Sequence, residues 1–163
     1  MTHDSTKPIK MERFYDASLE DVWDLWTTQE GIESWWGPDG FIVKVNKMDV
    51  RPGGVLEYAM IAVGEQQIAF MKKAGMPTST ITTITYKEIV KHQKLLYTNR
   101  ADFIPGVAPY DVDTCVELSL APNGVRLLLT IHPMHDEIWT GRQAAGWEME
   151  LGKLGRLIAE RKK

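Results

Sequence analysis

One pattern near the carboxy end limits the fold more than any other. Trp147, Leu151, Leu154 and Ile158 stand at i, i+4, i+7 and i+11, a single apolar stripe on a helix that the spacing predicts from about Asp136 to Arg161. Such a helix must bury its stripe against a partner, so something earlier in the chain has to supply a matching apolar face. What precedes it is mostly strand. "STITTITYKEIV" (79–90), "KLLYTNRADF" (94–103), "DVDTCVELSL" (111–120) and "GVRLLLTIHPM" (124–134) all read as extended segments. Sequential antiparallel strands with one long helix to cover them form an α+β domain, in which a curved sheet of about six to seven strands wraps the carboxy-terminal helix.

The front of the chain supplies the other elements. "IKMERFYDA" (9–17) reads as a first strand, and "SLED" opens a helix, with Ser18 and Asp21 spaced for a reciprocal capping box. Leu19, Val22, Trp23 and Trp26 give that helix one apolar face. A second short helix is predicted from Gln29 to Trp36, stopped by Gly37 and Pro38. Adjacent residues on a helix diverge by about 100°, so Trp35 and Trp36 should not enter the same core, and Trp36 is expected to be the inward one.

Beyond it, Phe41, Val43 and Val45 alternate with polar neighbours, "RPGG" (51–54) makes a type II turn, and Leu56, Tyr58 and Met60 share one face of the returning strand. "GEQQIAFMKKAGMPTS" (64–79) breaks the alternation and is predicted to hold an inserted short helix ended by Gly75 and Pro77. At "APNG" (121–124), Asn123 and Gly124 are expected to take the positive dihedrals of a tight hairpin.

Composition excludes several classes. A net charge of −3 gives no basic field of the kind that displaces counterions from nucleic acid. The lone Cys115 cannot form an internal disulfide and fits a reducing compartment, so a cytoplasmic protein is expected. No apolar run nears the roughly 20 residues that span a bilayer, and Met1 to Pro8 reads as a loose leader before one domain from Ile9 to Lys163. No phosphate-binding glycine loop, dinucleotide fingerprint or nucleophile motif occurs. His132, His135 and Asp136 in "HPMHDE" are the one histidine–carboxylate cluster, but Pro133 breaks the regular spacing a metal site needs, and neither metal nor cofactor is expected.

Val22 and Trp23, "WWGPDGF" (35–41), "DVRPGG" (49–54), Met60, "EIV" (88–90) and "GW" (146–147) followed by leucines, in that order over essentially the whole chain from Ile9, carry a resemblance. The sequence resembles the START-like helix-grip superfamily, and within it the domain of the activator of the ninety-kilodalton heat-shock protein's ATPase. The resemblance implies a cavity between curved sheet and long helix that holds a small, mainly apolar molecule, with no agreed set of catalytic residues. Residues 64–79 depart from the usual pattern, where a short Pro-Asp-Gly turn is common.

The ligand-binding set expected on this basis is Trp36, Tyr58, Met60, Phe70, Tyr97, Val116, Trp147 and Leu151. Several residues carry two readings. Trp36 either lines a pocket or completes a core; Leu56, Tyr58, Met60, Tyr97, Val116 and Leu118 form either an apolar wall or a solid core. Phe70, Met71 and Met76 make either a flexible lid or a satellite cluster. Gly146 and Gly152 allow either close packing on a strand, the reading favoured, or room for a ligand beneath Trp147; each glycine costs a helix roughly 1 kcal/mol relative to alanine. A binding module is favoured over an enzyme. The alternatives are a co-chaperone partner of a chaperone ATPase, and a cyclase- or dehydratase-like enzyme, which would need a buried, shifted carboxylate or histidine in the cavity, with Glu88 or Asp113 beside Tyr58 as candidates. A monomer or homodimer fits either.

Overall fold

The computed structural model describes residues 7–101 and 106–161. Most of the expected leader, and residues 102–103 of one expected strand, lie outside the described residues. The order is β1 (Ile9–Tyr15), α1 (Leu19–Thr27), α2 (Gln29–Trp35), β2 (Phe41–Met48), β3 (Val55–Ala62), α3 (Glu65–Lys73), β4 (Ser79–Val90), β5 (Lys94–Ala101), β6 (Tyr110–Ala121), β7 (Gly124–Ile131) and α4 (Glu137–Arg161). The strands form one antiparallel sheet in the order β1-β7-β6-β5-β4-β3-β2. Among the described strands, only the β1–β7 pairing, with Met11 opposite Leu129, joins strands distant in sequence. This is the α+β helix-grip architecture that the stripe on α4 demanded.

The core lies between the sheet's inner face and the helices. Leu127, Leu129 and Ile131 on β7, Val116 and Leu118 on β6, and Leu95 on β5 meet Leu151, Leu154 and Ile158 of α4 and the apolar face of α1. The cap of α1 forms at Ser18, whose hydroxyl accepts the Asp21 amide at 3.0 Å. Thr28 serves two helices at once: its hydroxyl donates to Asp24 O at 2.7 Å, closing α1, and accepts from Gly31 N at 3.0 Å, opening α2. Asp136 caps α4 by accepting from the Trp139 amide at 2.8 Å.

Two local expectations are corrected. Asn123 does not take a positive dihedral; Pro122 already holds the loop's first residue at negative φ, and the reversal falls on Gly124 alone, at φ 152°. A side chain there would meet Tyr15 O at 2.0 Å, so the close approach of β1 also demands glycine. Trp35 and Trp36 are both buried, at 1% and 6% exposure. The divergence of helical neighbours does not apply, because Trp36 is the cap residue and has already left α2 with extended dihedrals of −67° and 152°. Trp35 turns back into the α1–α2 corner and donates its indole N–H to Leu25 O at 2.8 Å. Trp36 turns toward the sheet, where its ring centroid lies 5.5 Å from that of Tyr58.

Candidate functional site

The alternating strands and the start of α4 leave a cavity of about 260 Å³ between them. Tyr58 and Met60 of β3, Ile84 of β4, Tyr97 and Asn99 of β5 and Thr114 of β6 form its sheet wall. Trp36 and Pro38 close one side from the loop after α2, and Gln143, Gly146, Trp147 and Glu150 cover it from α4. Register explains the sheet wall: Tyr97 pairs with Thr114 and Ile84 with Asn99, which puts these side chains on one face. A larger cleft of about 630 Å³ lies at the α1–α2 corner against Arg161, but its lining of Asp24, Leu25, Thr28, Gln29, Glu30 and Gly31 offers no aromatic surface.

Five of the eight expected ligand residues, Trp36, Tyr58, Met60, Tyr97 and Trp147, meet around the cavity. Three do not. Val116 and Leu151 are each 1% exposed and belong to the packed core beneath it. Phe70 is 66% exposed on α3 and stands away from the cavity; α3 seats its Gln67 against Gly40 and Gly64, near the start of β2, and buries Met71 instead. Phe70 and Met76 are both exposed and neither lines the cavity, so the expected lid does not cover it. Leu56 and Leu118 are core as well. Gly146 reverses the favoured reading of the helix glycines: a Cβ there would meet no atom within 4 Å, so the residue leaves open space above the sheet rather than permitting close packing.

The expected acid/base candidates also lie elsewhere. Glu88 is exposed and paired with Lys94 at 3.2 Å. Asp113 sits on the outer face with Lys87 at 3.1 Å and Thr98; although burial alone would raise its carboxyl, the hydrogen bonds from Thr98 and Lys87 hold it below the ordinary value. His135 turns to Tyr110 Oη, 2.7 Å from Nδ1, and to Asp136 at 3.3 Å. Among the described residues no group of three or more histidine, cysteine or carboxylate side chains could hold a metal ion. No helix among them is long and apolar enough to cross a membrane.

What sequence reasoning missed is Glu150. Its carboxylate accepts from Gly37 N at 2.7 Å, and three residues on, Lys153 Nζ donates to Gly37 O at 2.7 Å, so α4 grips both ends of that glycine's polar backbone. Desolvation pushes the Glu150 carboxyl up to about 7, against the opposing pull of the Gly37 amide and the Lys153 charge. Burial likewise raises the hydroxyls of Tyr58 and Tyr97 well above the ordinary tyrosine value, so both stay neutral. Three polar atoms of the lining residues, Trp36 Nε1, Tyr97 Oη and Gln143 Oε1, are buried without a hydrogen-bond partner. A signal was present in the sequence. Continuing the stripe's own period backward from Leu154 lands on Glu150, Trp147, Gly146 and Gln143, which puts a carboxylate and an amide on the covered face of an otherwise apolar helix.

The aromatic side chains are ordered with respect to one another. Trp36 stands nearly perpendicular to Tyr58 (88°, 5.5 Å) and to Trp147 (81°, 6.3 Å), and Trp147 stacks on Trp26 at 5.7 Å and 20°. The site is thus a small aromatic chamber with a carboxyl and an amide on its helical side.

Comparison with known proteins agrees with this fold. A protein of Chromobacterium violaceum superposes with a TM-score of 0.76 at 24% identity, over 93% of this chain and 96% of that one. An activator-like protein of Aeromonas hydrophila gives 0.74 at 18% identity, over 96% and 94%, and one from Silicibacter pomeroyi 0.73 at 18%, over 95% and 99%. No curated protein matches the sequence. At these identities the likeness is one of fold, but the sequence pattern of a family described as "Activator of Hsp90 ATPase homolog 1-like protein" matches residues 16–159. With that match running from the end of β1 almost to the end of α4, the chain belongs to the activator of Hsp90 ATPase homolog 1-like family.

Proposed function

We propose that this protein binds a small, mainly apolar molecule with a polar end, in the chamber between α4 and the sheet. The observation that carries the reading is Gly146: a helix gives up roughly 1 kcal/mol to place glycine in its interior, and here the residue packs against nothing. Around that space stand Trp36, Tyr58, Tyr97 and Trp147, an apolar wall with a few polar groups, which is the composition of a small-molecule site. At about 260 Å³ the chamber falls just below the range of roughly 300–1,000 Å³ typical of drug-sized ligands, so its occupant is compact. The test is a panel of monocyclic aromatic compounds followed by tryptophan emission and melting temperature. Binding raises the melting temperature by mass action and shifts emission, and Gly146→Leu, which fills the space, abolishes both responses. An unaltered emission and melting temperature across the panel would refute the reading.

Glu150 favours a second reading, an enzyme of cyclase or dehydratase type, because a carboxyl near 7 can both give and take a proton at neutral pH. Turnover of a hydroxylated cyclic ketone, lost in Glu150→Gln, would establish it, whereas stoichiometric binding without turnover would reject it. The family name suggests a chaperone ATPase as partner; stimulation of that ATPase by the purified protein tests this directly, and an unchanged ATPase rate excludes it.

A further inference from the structure

We propose that the ligand of this chamber is a small organic ammonium ion, held by Glu150 as counter-ion and Gln143 as second acceptor within the aromatic corner formed by Trp36, Tyr58 and Trp147. The inference rests on the small-molecule reading above and names the chemistry of what binds.

Three independent features converge. First, the acceptors of α4 are left over. Gln143 Oε1 is buried with no hydrogen-bond partner, and the Glu150 carboxylate accepts the Gly37 amide, although an ionised carboxylate can accept about four hydrogen bonds. The two residues are seven positions apart on one helical face, with Gly146 between them providing the space, so a donor-rich group seated below Gly146 can reach both. Second, the walls suit a cation. Trp36 stands at 88° to Tyr58 and at 81° to Trp147, an aromatic corner like the cages that recognise ammonium groups through the negative faces of aromatic rings.

Third, the electrostatics are incomplete without a positive group. Glu150 lies in the chamber while the nearest cation, Lys153, spends its hydrogen bond on Gly37 O rather than on the carboxylate. The other titratable groups facing Glu150 are the hydroxyls of Tyr58 on β3 and Tyr97 on β5, both held neutral by burial. An anionic ligand would place like charge beside Glu150, and a neutral hydrocarbon would leave Gln143 Oε1 unpaired and bring the carboxylate no donor beyond the Gly37 amide. The other unpaired atoms of the lining, Trp36 Nε1 and Tyr97 Oη, can both donate, so the ammonium ion that fits best also carries an acceptor such as a hydroxyl or carbonyl oxygen.

The experiment compares three probes of one size by calorimetry: 2-phenylethylamine, 2-phenylethanol and phenylacetate. At pH 8 the amine is expected to bind at least tenfold more tightly than the alcohol, with phenylacetate weakest. Below pH 7 its affinity falls up to tenfold per pH unit, because binding must displace the proton that Glu150 then carries, while the alcohol shows no such slope. Glu150→Gln removes both the amine preference and the slope but keeps the Gly37 contact; should that variant fold poorly, the wild-type slope alone decides. Equal affinity for alcohol and amine overturns the ammonium inference and leaves a small-molecule chamber standing. Tightest binding by phenylacetate overturns it too. Failure of all three probes to bind overturns both.

Discussion

Glu150 shows how one residue sets a property of the whole chain. Its carboxyl is raised by burial from an ordinary 4.5 to about 7. A carboxyl raised by folding stabilises the protein while it holds its proton, in full below its unfolded value, and that contribution is lost as pH climbs through 7. At about 1.4 kcal/mol per pH unit, this residue alone withdraws on the order of 3 kcal/mol between pH 4.5 and 7. Urea denaturation of wild type and Glu150→Gln at pH 5, 6, 7 and 8 should therefore show the variant gaining relative stability as pH rises; parallel curves would contradict the assignment. Gly146 makes the opposite kind of case. Because a Cβ there meets nothing, Gly146→Ala should raise stability by about 0.5–1 kcal/mol through helix propensity alone, measurable as a higher urea midpoint at unchanged slope.

At the scale of elements, α4 is two helices in one. From Leu151 to Ile158 it buries Leu151, Leu154 and Ile158 in the core, whereas from Gly141 to Glu150 it has no fully buried residue and spans the chamber instead. Opening energy follows buried apolar contact, so amide hydrogen exchange is expected to divide near Glu150, slow toward Ile158 and faster toward Gly141. A bound ligand should slow the faster half selectively. Uniform protection along α4 would count against the division. The loop after α2 is tied to this same helix by Gly37 at two points and by the Asp39 amide to Met149 Sδ at 3.0 Å, so its exchange should slow in step.

Across the whole molecule, the first strand joins the sheet beside the last, and tryptophans of α1, α2 and α4 gather on one side of it. Nothing in that arrangement divides into separable parts, and circular dichroism, which reports the sheet, and tryptophan emission, which reports the helices, should give coincident denaturation curves. Separated transitions would refute a single cooperative unit. Most of this architecture could be read from the residues, because period 2 and period 3.6 are local: the alternation of Leu56, Tyr58 and Met60 and the α4 stripe each stand in one short segment. The site was legible in part for the same reason. Tyr58, Tyr97 and Trp147 followed from strand and helix faces, but whether Val116 or Leu151 meets a cavity or a neighbour depends on depth along the sheet, which periodicity does not encode. Trp36 does turn inward, but the expectation that Trp35 and Trp36 would not share a core failed because a cap residue leaves its helix one position before the pattern suggests. Glu150 was passed over because an apolar stripe draws attention to its apolar members, while the informative residue is the one that breaks it.

The stacked pair Trp26 and Trp147 has an optical consequence. Two indoles 5.7 Å apart and 20° from parallel couple their electronic transitions, so the folded chain should display an exciton couplet in its ultraviolet circular dichroism. Because Trp147 roofs the chamber and Trp26 is anchored in α1, any occupant that shifts the roof changes the amplitude of that couplet. The protein carries its own gauge of occupancy, readable without an added dye.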